Sequence, residues 1–452
     1  MSRERRDFIK NMGLAGLGLA LAPELAFAKR RAKKKNDGKV RIAFVGLGRG
    51  STHLRNISRR SDVIVPAICD INPGAIKRGQ DILAKNGHKK ADVYSDSEYA
   101  YKDMLARDDI DGVVISTPWL WHVPMSVEAM RQGVFVGVEV SAANTMAECW
   151  DLVNTHEATG TPLMIMENVC YRRDVLAVLN MVRNGVFGEV CHARCGYLHD
   201  LRHVKFTDGE FGENARGEAR WRTQHSLLRN ADLYPTHGLG PIATMLDINR
   251  GNRFVSLTST ATKAKGLSNF ISKTKGKDHK NANLDWKLGD VVTTVIKTAN
   301  EESIIVTHDT NLPRPYSLGF YVQGVDGLVE FDRGTQRIYV EGESKPHAWE
   351  DANKWLEKYD HNMWKSHEAK AKGAGHGGMD YFLDNAFVEA VKYNLAPPLD
   401  VYDAASWSAV TPLSERSIAN NSEPQYFPDF TRGNWIKRER YFAIDQKENV
   451  FN

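Results

Sequence analysis

Cysteine is scarce and without pattern. The five residues, at 69, 149, 170, 191 and 195, are odd in number and form no CxxC pair. That excludes a disulfide framework and predicts buried free thiols in a chain that folds in a reducing compartment. Histidines and acids show no HxxxH or HxH spacing, so no metal is expected. Basic residues are not interleaved with aromatics into a stripe, which excludes nucleic acid as a partner. The net charge of +4 owes much to Arg and Lys among the first 39 residues, and the body is near neutral. What remains is ordinary: 42% hydrophobic and 26% charged residues, over a length of 452 that suggests two domains.

Nor is there an apolar run of about 20 residues, the length needed to span a bilayer. The stretch Met12 to Ala22 is shorter and broken by glycines. It follows Glu4-Arg5-Arg6-Asp7-Phe8-Ile9-Lys10, a twin-arginine pattern, and precedes Ala26-Phe27-Ala28, a small-x-small cleavage site. Residues 1–28 therefore read as a twin-arginine signal peptide and 29–39 as a basic leader. The expectation is export of the folded chain to the periplasm with its cofactor already loaded, and no stable membrane insertion once the signal is removed.

Residues 40–45, VRIAFV, form a continuous apolar run typical of a buried parallel strand. Further strands are predicted at Val63 to Ile68, Gly112 to Ser116, Phe135 to Val138 and Leu163 to Met166. A short segment lies near Val93-Tyr94, and helical patterns fall between. This alternation predicts an α/β fold, a doubly wound parallel sheet of the Rossmann type over residues 40–168. After residue 170 comes one helix to Asn184, then a long polar stretch. Longer runs with period-two alternation follow, such as VVTTVIKT within Asp290 to Ala299. Two late helices are predicted, at about 381–393 and 404–420. Residues 169–452 thus read as an α+β domain with an open, mostly antiparallel sheet, with 263–283, rich in Lys, Gly and Asn, as a mobile loop.

Gly46-Leu47-Gly48-Arg49-Gly50 separates the first strand from a helix, where free N–H groups and close backbone approach suit a phosphate. The third position of a GxGxxG pattern is Ser51, with Gly50 one place early. Asp70 closes the second strand, at the distance where an acid accepts from ribose hydroxyls; this favours NAD over NADP. The alternative role of Asp70 is a helix cap. The third strand ends in Ser116-Thr117-Pro118-Trp119-Leu120-Trp121-His122, where Trp119 and Trp121 could flank a base or simply pack. Glu139 ends the fourth strand, and Glu167-Asn168 the fifth.

The chain resembles the Gfo/Idh/MocA class of NAD(P)-binding proteins. Most oxidoreductases of that class carry Glu-Lys-Pro at the end of the fourth strand, the lysine moving the proton of the substrate hydroxyl. Here the triplet is Glu139-Val140-Ser141, and the lysine is gone. Residues 166–190, GYLHDLR (196–202), 221–243 with its YPTH motif, and LDINRGNRF (246–254) are similar to glycoside hydrolase family 109, the NAD-dependent α-N-acetylgalactosaminidases.

That resemblance implies a redox-assisted hydrolysis. Carbon 3 of the sugar is transiently oxidised, which acidifies the hydrogen at carbon 2. The glycosidic oxygen leaves by elimination, water adds, and the hydride returns, so NAD stays bound. The family's cofactor contacts fall on Arg49, Gly50, Asp70, Trp119, Leu120, Trp121, His122, Glu139, Val140 and Asn168, beside the glycines Gly46 and Gly48. Its sugar contacts fall on Tyr197, Arg222, Tyr234, Pro235, Thr236, His237 and Tyr316. Within that set His237 is assigned to the 3-hydroxyl proton with Tyr234 beside it, Tyr197 to the carbon-2 proton, and Glu167 to a supporting relay. Tyr197 and Tyr316 could instead be packing residues and His237 a helix cap; His199 and Asp200 lie near enough to belong to the site. The partner is a carbohydrate, and a homodimer is expected by class analogy. The alternatives are an exported sugar oxidoreductase, or the same chemistry on another glycoside.

Overall fold

A computed structural model describes residues 38–443. The expected signal peptide 1–28 and the leader as far as residue 37 lie outside the described residues. The first sheet contains β1 (Val40–Val45), β2 (Val63–Ile64), β3 (Ala67–Cys69), β4 (Asp92–Tyr94), β5 (Gly112–Ile115), β6 (Phe135–Val138) and β7 (Leu163–Ile165). Its order is β4-β3-β1-β5-β6-β7, with β2 beside β1, and every pairing is parallel. The order reverses between β1 and β5, and the crevice at that switch point is where this architecture binds nucleotides. The predicted strand 63–68 is two short strands, because Pro66 at its centre offers no N–H to a ladder.

Helices α1 (Ser51–Ile57), α2 (Pro73–Lys85), α3 (Tyr101–Leu105), α4 (His122–Arg131) and α5 (Met146–Thr159) connect these strands. Then come α6 (Arg173–Arg183), α7 (Arg202–Lys205), α8 (Arg222–Leu228) and α9 (Thr236–Met245). A second, nine-stranded sheet is built from β8 (Val190–Leu198), β9 (Phe254–Ala261), β10 (Val291–Thr298), β11 (Ser303–Asp309), β12 (Phe320–Gly324), β13 (Gly327–Asp332), β14 (Thr335–Val340), β15 (Glu350–Asp351) and β16 (Gln425–Tyr426). All its pairings are antiparallel except β8 with β11. Its central strand β8 opens the stretch expected to be polar and irregular. Glycine, cysteine and histidine dilute its alternation.

The segment 263–283 is not a mobile loop. It forms α10 (Gly266–Lys275) and a 3-10 turn at Lys280–Asn283. Leu267 and Ile271 close a separate apolar cluster with Phe206, Ala282 and Trp286. Their four-residue spacing puts both on one helix face, a signal hidden by the lysines around them. This cluster lies beneath the segment that carries α7 and α8.

Helices α11 (Asn353–Lys358), α12 (Asn362–Ala371), α13 (Met379–Tyr393), α14 (Val401–Ser408) and α15 (Val410–Ala419) complete the chain. The predicted helix 404–420 is thus two. More importantly, α13 returns to the first sheet, so the boundary at 168/169 separates the sheets but not the layers packed on them. Gly137 and Gly112 make room for it: a Cβ at Gly137 would sit 2.9 Å from the Phe387 ring, and one at Gly112 3.0 Å from Val391. The two sheets share one continuous core. All five cysteines are free thiols, four of them buried. Among the described residues no helix is long and apolar enough to cross a membrane.

A buried charge cluster ties α13 to the cofactor-side elements. His53 of α1 is fully buried, with Nδ1 2.6 Å from Asp384 Oδ1 and Nε2 2.8 Å from Glu139 Oε1. With an ionised carboxylate on each ring nitrogen, although burial pushes the Asp384 carboxyl upward, His53 donates twice and is an imidazolium. Burial alone would push it down, but Asp384 and Glu139 outweigh that and raise it to about 10. Removing this cation should cost about 3–5 kcal/mol, the usual effect of orphaning one side of a buried ion pair. The unfolded imidazole titrates near 6.5 and the folded one near about 10. The stabilisation is therefore complete below the unfolded value and is lost as pH rises through the folded one. We expect His53→Gln to lower the urea midpoint at neutral pH, with the gap to wild type narrowing as pH approaches about 10. A gap constant across that range would refute the imidazolium.

Candidate active site

The cofactor side begins where β1 runs into α1. Gly46 is left-handed, at φ +83°, and a Cβ there would lie 2.6 Å from the Ser116 carbonyl oxygen. A Cβ on Gly50 would lie 2.1 Å from the Gly46 oxygen, whereas one on Gly48 meets nothing within 4 Å. Gly46 and Gly50 are therefore required by the turn, and Gly48 keeps open space beside it. Ser51 replaces the third glycine without strain, its hydroxyl donating to the Gly48 carbonyl at 2.9 Å. Asp70 is not a helix cap, since Asn72 caps α2. Instead its carboxylate accepts from the backbone of Leu47 at 2.7 Å and of Asn72 at 2.8 Å, bracing the glycine turn at the crevice mouth.

The residues after β5 divide. Leu120 is exposed, and Trp121 packs edge-on against Tyr99 and Tyr101. Trp119 turns instead toward the second domain, stacked 5.7 Å from the Tyr234 ring and under the Arg222 guanidinium at 4.9 Å. The His122 ring is buried, with its nitrogens 2.8 Å from the carbonyls of Ser141 and Thr117. It therefore shapes the ledge rather than lining the crevice.

After β6, Glu139 is gripped by two cations, with His53 beneath it and Arg49 at 3.5 Å. Burial favours its neutral form, but the His53 hydrogen bond and the Arg49 charge override this and hold the carboxyl well below its usual range. Val140, in the place of the class lysine, is buried. Arg49 also lies 3.5 Å from Asp380, which accepts from the Asn168 amide at 2.7 Å. That bond fixes the amide orientation and leaves buried Asn168 Oδ1 without a protein partner; Ser116 Oγ, beside the glycine turn, is likewise unpartnered. Open space at Gly48, a braced acid at Asp70 and orphaned polar atoms at Ser116 and Asn168 fit a dinucleotide laid across the switch point.

The sugar side is placed by α9. Its sequence YPTHGLG puts Gly238 against β8, where a Cβ would lie 2.5 Å from the Gly196 nitrogen. Only glycine allows this approach, and it sets His237 beside Tyr197, ring centroids 5.6 Å apart. His237 Nδ1 lies 2.8 and 3.0 Å from the two oxygens of Glu167, which is wholly buried at the end of the first sheet. A carboxylate there accepts an Nδ1–H, leaving Nε2 with its lone pair on the open side. His237 is therefore not merely a helix cap.

Around it stand Tyr234, 4.9 Å from the His237 ring and 4.6 Å from Tyr197, and Arg222, which lies 5.0 Å above Tyr234. Burial lowers the tendency of Arg222 to hold its charge, but Glu218 at 2.7 Å restores it. Burial pushes the Tyr197 phenol up, and Arg222 opposes this. Tyr316 is half-buried, its ring edge-on to His199 at 4.8 Å. Pro235 and Thr236 are buried at the start of α9. The expected sugar-side residues thus form one cluster against the carboxyl edge of the first sheet.

Several participants were missed from the sequence. Trp221 and His225 complete the aromatic cluster around Trp119, both at 5.0 Å. His53, Asp380, Asp384 and His376 form the charged floor below Arg49. Asp380 and Asp384 share one face at the start of α13, with His376 in the turn just before it, but that spacing says nothing of their partners far earlier in the chain.

Residues 40–167 match the oxidoreductase family with an NAD-binding Rossmann fold, and residues 171–437 the family described as glycosyl hydrolase 109, C-terminal domain. Levoglucosan dehydrogenase, solved with NADH and levoglucosan, superposes with a TM-score of 0.65 over 86% of this chain and 100% of that one, at 16% identity. An inositol dehydrogenase homologue from Azotobacter vinelandii, solved with NAD+, gives 0.62 over 87% and 99%, at 18% identity. At such identities the likeness is one of fold. An alpha-N-acetylgalactosaminidase of Tannerella forsythia is 50% identical over 98% of this chain and 100% of its own length. A glycosyl hydrolase family 109 protein of Parabacteroides distasonis is also 50% identical over the same shares. The protein has an NAD-binding Rossmann domain, and the chain belongs to glycosyl hydrolase family 109.

Proposed function

We propose that the protein hydrolyses terminal α-linked N-acetylgalactosamine by oxidation, elimination, hydration and reduction on one site. The relative from Tannerella forsythia that bears that activity's name, 50% identical along its whole length, supports the substrate. The observation that carries the chemistry is the Glu167–His237 pair, a carboxylate-oriented imidazole at 2.8 Å opening beside Tyr197, Tyr234 and Arg222. NAD, when bound, supplies a reversible hydride acceptor for carbon 3 of the sugar.

The protein's own residues move the protons. His237 Nε2 takes the proton of the 3-hydroxyl, and Glu167 holds the ring in the tautomer that can accept it. Tyr234 flanks that hydroxyl. Arg222, charged at any working pH, grips an oxygen of the sugar or of its acetamide without itself titrating. With a ketone at carbon 3, the carbon-2 hydrogen becomes acidic enough for Tyr197 to remove. Its electron pair forms the carbon 1–carbon 2 double bond and expels the glycosidic oxygen. Water then adds at carbon 1 and the steps reverse. Tyr316 covers a face of the ring. The usual two-carboxylate glycosidase geometry is not required by this route.

Export completes the proposal. Arg5-Arg6 and the Ala26-Phe27-Ala28 site support twin-arginine passage to the periplasm of a chain already holding NAD, which a cofactor that never leaves demands. Replacing Arg5 and Arg6 by lysine should leave uncleaved protein in the cytoplasm. Periplasmic recovery unchanged by that substitution would exclude the twin-arginine route.

Purified protein incubated with p-nitrophenyl α-N-acetylgalactosaminide should turn over many times with no added acceptor and no net reduced cofactor. In deuterated water the released sugar should carry deuterium at carbon 2. One reduced cofactor per substrate would instead mark a net oxidoreductase. His237→Ala and Glu167→Gln should each slow turnover by about 10²–10⁴-fold, the usual worth of a positioned acid–base group, while NAD stays bound. Loss of NAD from either variant would make the pair structural.

A further inference from the structure

The proposed chemistry moves two different protons, from the oxygen on carbon 3 and from carbon 2, but the residues given above supply a well-formed acceptor for only one. His237 has a carboxylate behind it. Tyr197 is a phenol, 8% exposed, whose burial favours the neutral form. A neutral phenol cannot take a proton from carbon unless its own has somewhere to go. Tyr197 Oη lies 3.1 Å from His199 Nδ1. Burial and the nearby Arg222 charge favour the neutral His199 imidazole, and in the tautomer with its lone pair on Nδ1 this contact is a phenol O–H donating to that nitrogen.

We propose that His199 is the proton-accepting partner of Tyr197, and that the Tyr197–His199 pair acts at carbon 2 while Glu167–His237 acts at the 3-hydroxyl. This rests on the elimination reading above. The hydrogen bonds divide the labour: both imidazole rings lie 5.6 Å from the Tyr197 ring, but the phenol oxygen pairs with His199 Nδ1 at 3.1 Å while His237 Nδ1 pairs with Glu167 at 2.8 Å. His199 sits just past the end of β8, its backbone N–H donating to the Asp309 carbonyl at 2.9 Å. That anchors it two residues from Tyr197, on the same side of the strand path.

The groups facing His199 suit an acceptor that starts neutral. Burial disfavours the imidazolium, the Arg222 charge from α8 adds to this, and His237 from α9 does the same; Asp200 and Glu218 oppose them. Tyr316 meets the ring edge-on at 4.8 Å and limits its swing. Burial of His199 is only partial, so its proton can reach solvent. Arg222 also opposes the upward push of burial on the Tyr197 phenol, stabilising the charge that develops on its oxygen.

The step balances. As the Tyr197 oxygen takes the carbon-2 proton, its own proton passes to His199 Nδ1. The electrons of the broken C–H bond form the carbon 1–carbon 2 double bond. The carbon 1–oxygen bond breaks, and the departing oxygen takes up a proton ultimately supplied by His199 or by water. Hydration runs the sequence backwards. His199 acts through Tyr197, so it is a positioning residue with a proton-accepting role.

The test uses holoenzyme and p-nitrophenyl α-N-acetylgalactosaminide carrying deuterium at carbon 2 or at carbon 3. His199→Gln should retain NAD at wild-type stoichiometry and slow turnover by about 10²-fold or more. The carbon-2 isotope effect should grow, the carbon-3 effect should shrink, and added imidazole should restore part of the rate. Tyr197→Phe, which keeps the ring packing, should show the same selective loss, and the double variant should be no slower than the worse single. Unchanged turnover, or slowing that leaves the two isotope effects in their wild-type ratio and ignores imidazole, would overturn the role of His199. The wild type separates the two proposals: product from deuterated water without deuterium at carbon 2 would sink the elimination reading itself. Carbon-2 exchange that is as fast in His199→Gln as in wild type would sink only this inference.

Discussion

One hydrogen bond holds the site together across the two sheets. Glu167 leaves the carboxyl end of the first sheet, and His237 rises from the first turn of α9 on the second domain. Neither is useful alone. A wholly buried carboxylate left with only the Val169 N–H would be costly, and an imidazole without the carboxylate would have no preferred tautomer. The bond forms because Gly238 lets α9 touch the β8 backbone at Gly196. Gly240 allows a second close approach, with a Cβ there 3.1 Å from Glu167. The glycines of the GLG run are thus part of the chemistry, though they carry no functional group.

The other half of the site is organised around an absence. Where the class places a lysine after the acid of the fourth strand, this chain has buried Val140, and the acid itself is turned into the centre of a charge cluster. Glu139 is bonded below by His53 and faced by Arg49, while Asp380 and Asp384 arrive from α13. A lysine there would be a mobile, titratable cation beside the crevice. The cluster offers instead fixed charges locked by mutual hydrogen bonds. That suits the cofactor of the proposed route, which is regenerated without leaving, because a rigid floor needs no reordering when the sugar arrives. It also explains why α13, far along the chain, must pack on the first sheet.

Much of this was legible in the sequence where local rules act. The strand of residues 40–45, the glycine turn, the α/β alternation to residue 165 and the YPTH motif all follow from short-range pattern, and the structure has them. Failures share a cause. The helix at 266–275 carries its two buried residues among lysines, so composition spoke louder than period. Strand β8 is masked by the small and reactive residues that the site requires of it. The partners of His53 lie 86 and 331 residues away, a pairing no local spacing encodes. Trp119 was visible as a crevice residue, but only the second domain's placement shows that it faces Tyr234 and Arg222 rather than packing in its own sheet.

In the proposed route, moving the proton acceptor from the sheet to α9 has a further consequence for specificity of chemistry. A lysine at the end of the fourth strand would address one hydroxyl from the cofactor side. An imidazole on α9 instead stands on the same wall as Tyr197, Tyr234 and Arg222, so the group serving carbon 3 and the group serving carbon 2 are held by one helix–strand contact. Their spacing is then set by backbone against backbone, the stiffest contact a protein has, and not by flexible side chains. Adjacent carbons of a sugar ring have a fixed separation, and a two-proton sequence on them requires acceptors whose separation is equally fixed. The glycine-mediated crossing of α9 over β8 supplies that rigidity. On this view the elimination route depends less on any new residue type than on where the old acid–base function is mounted.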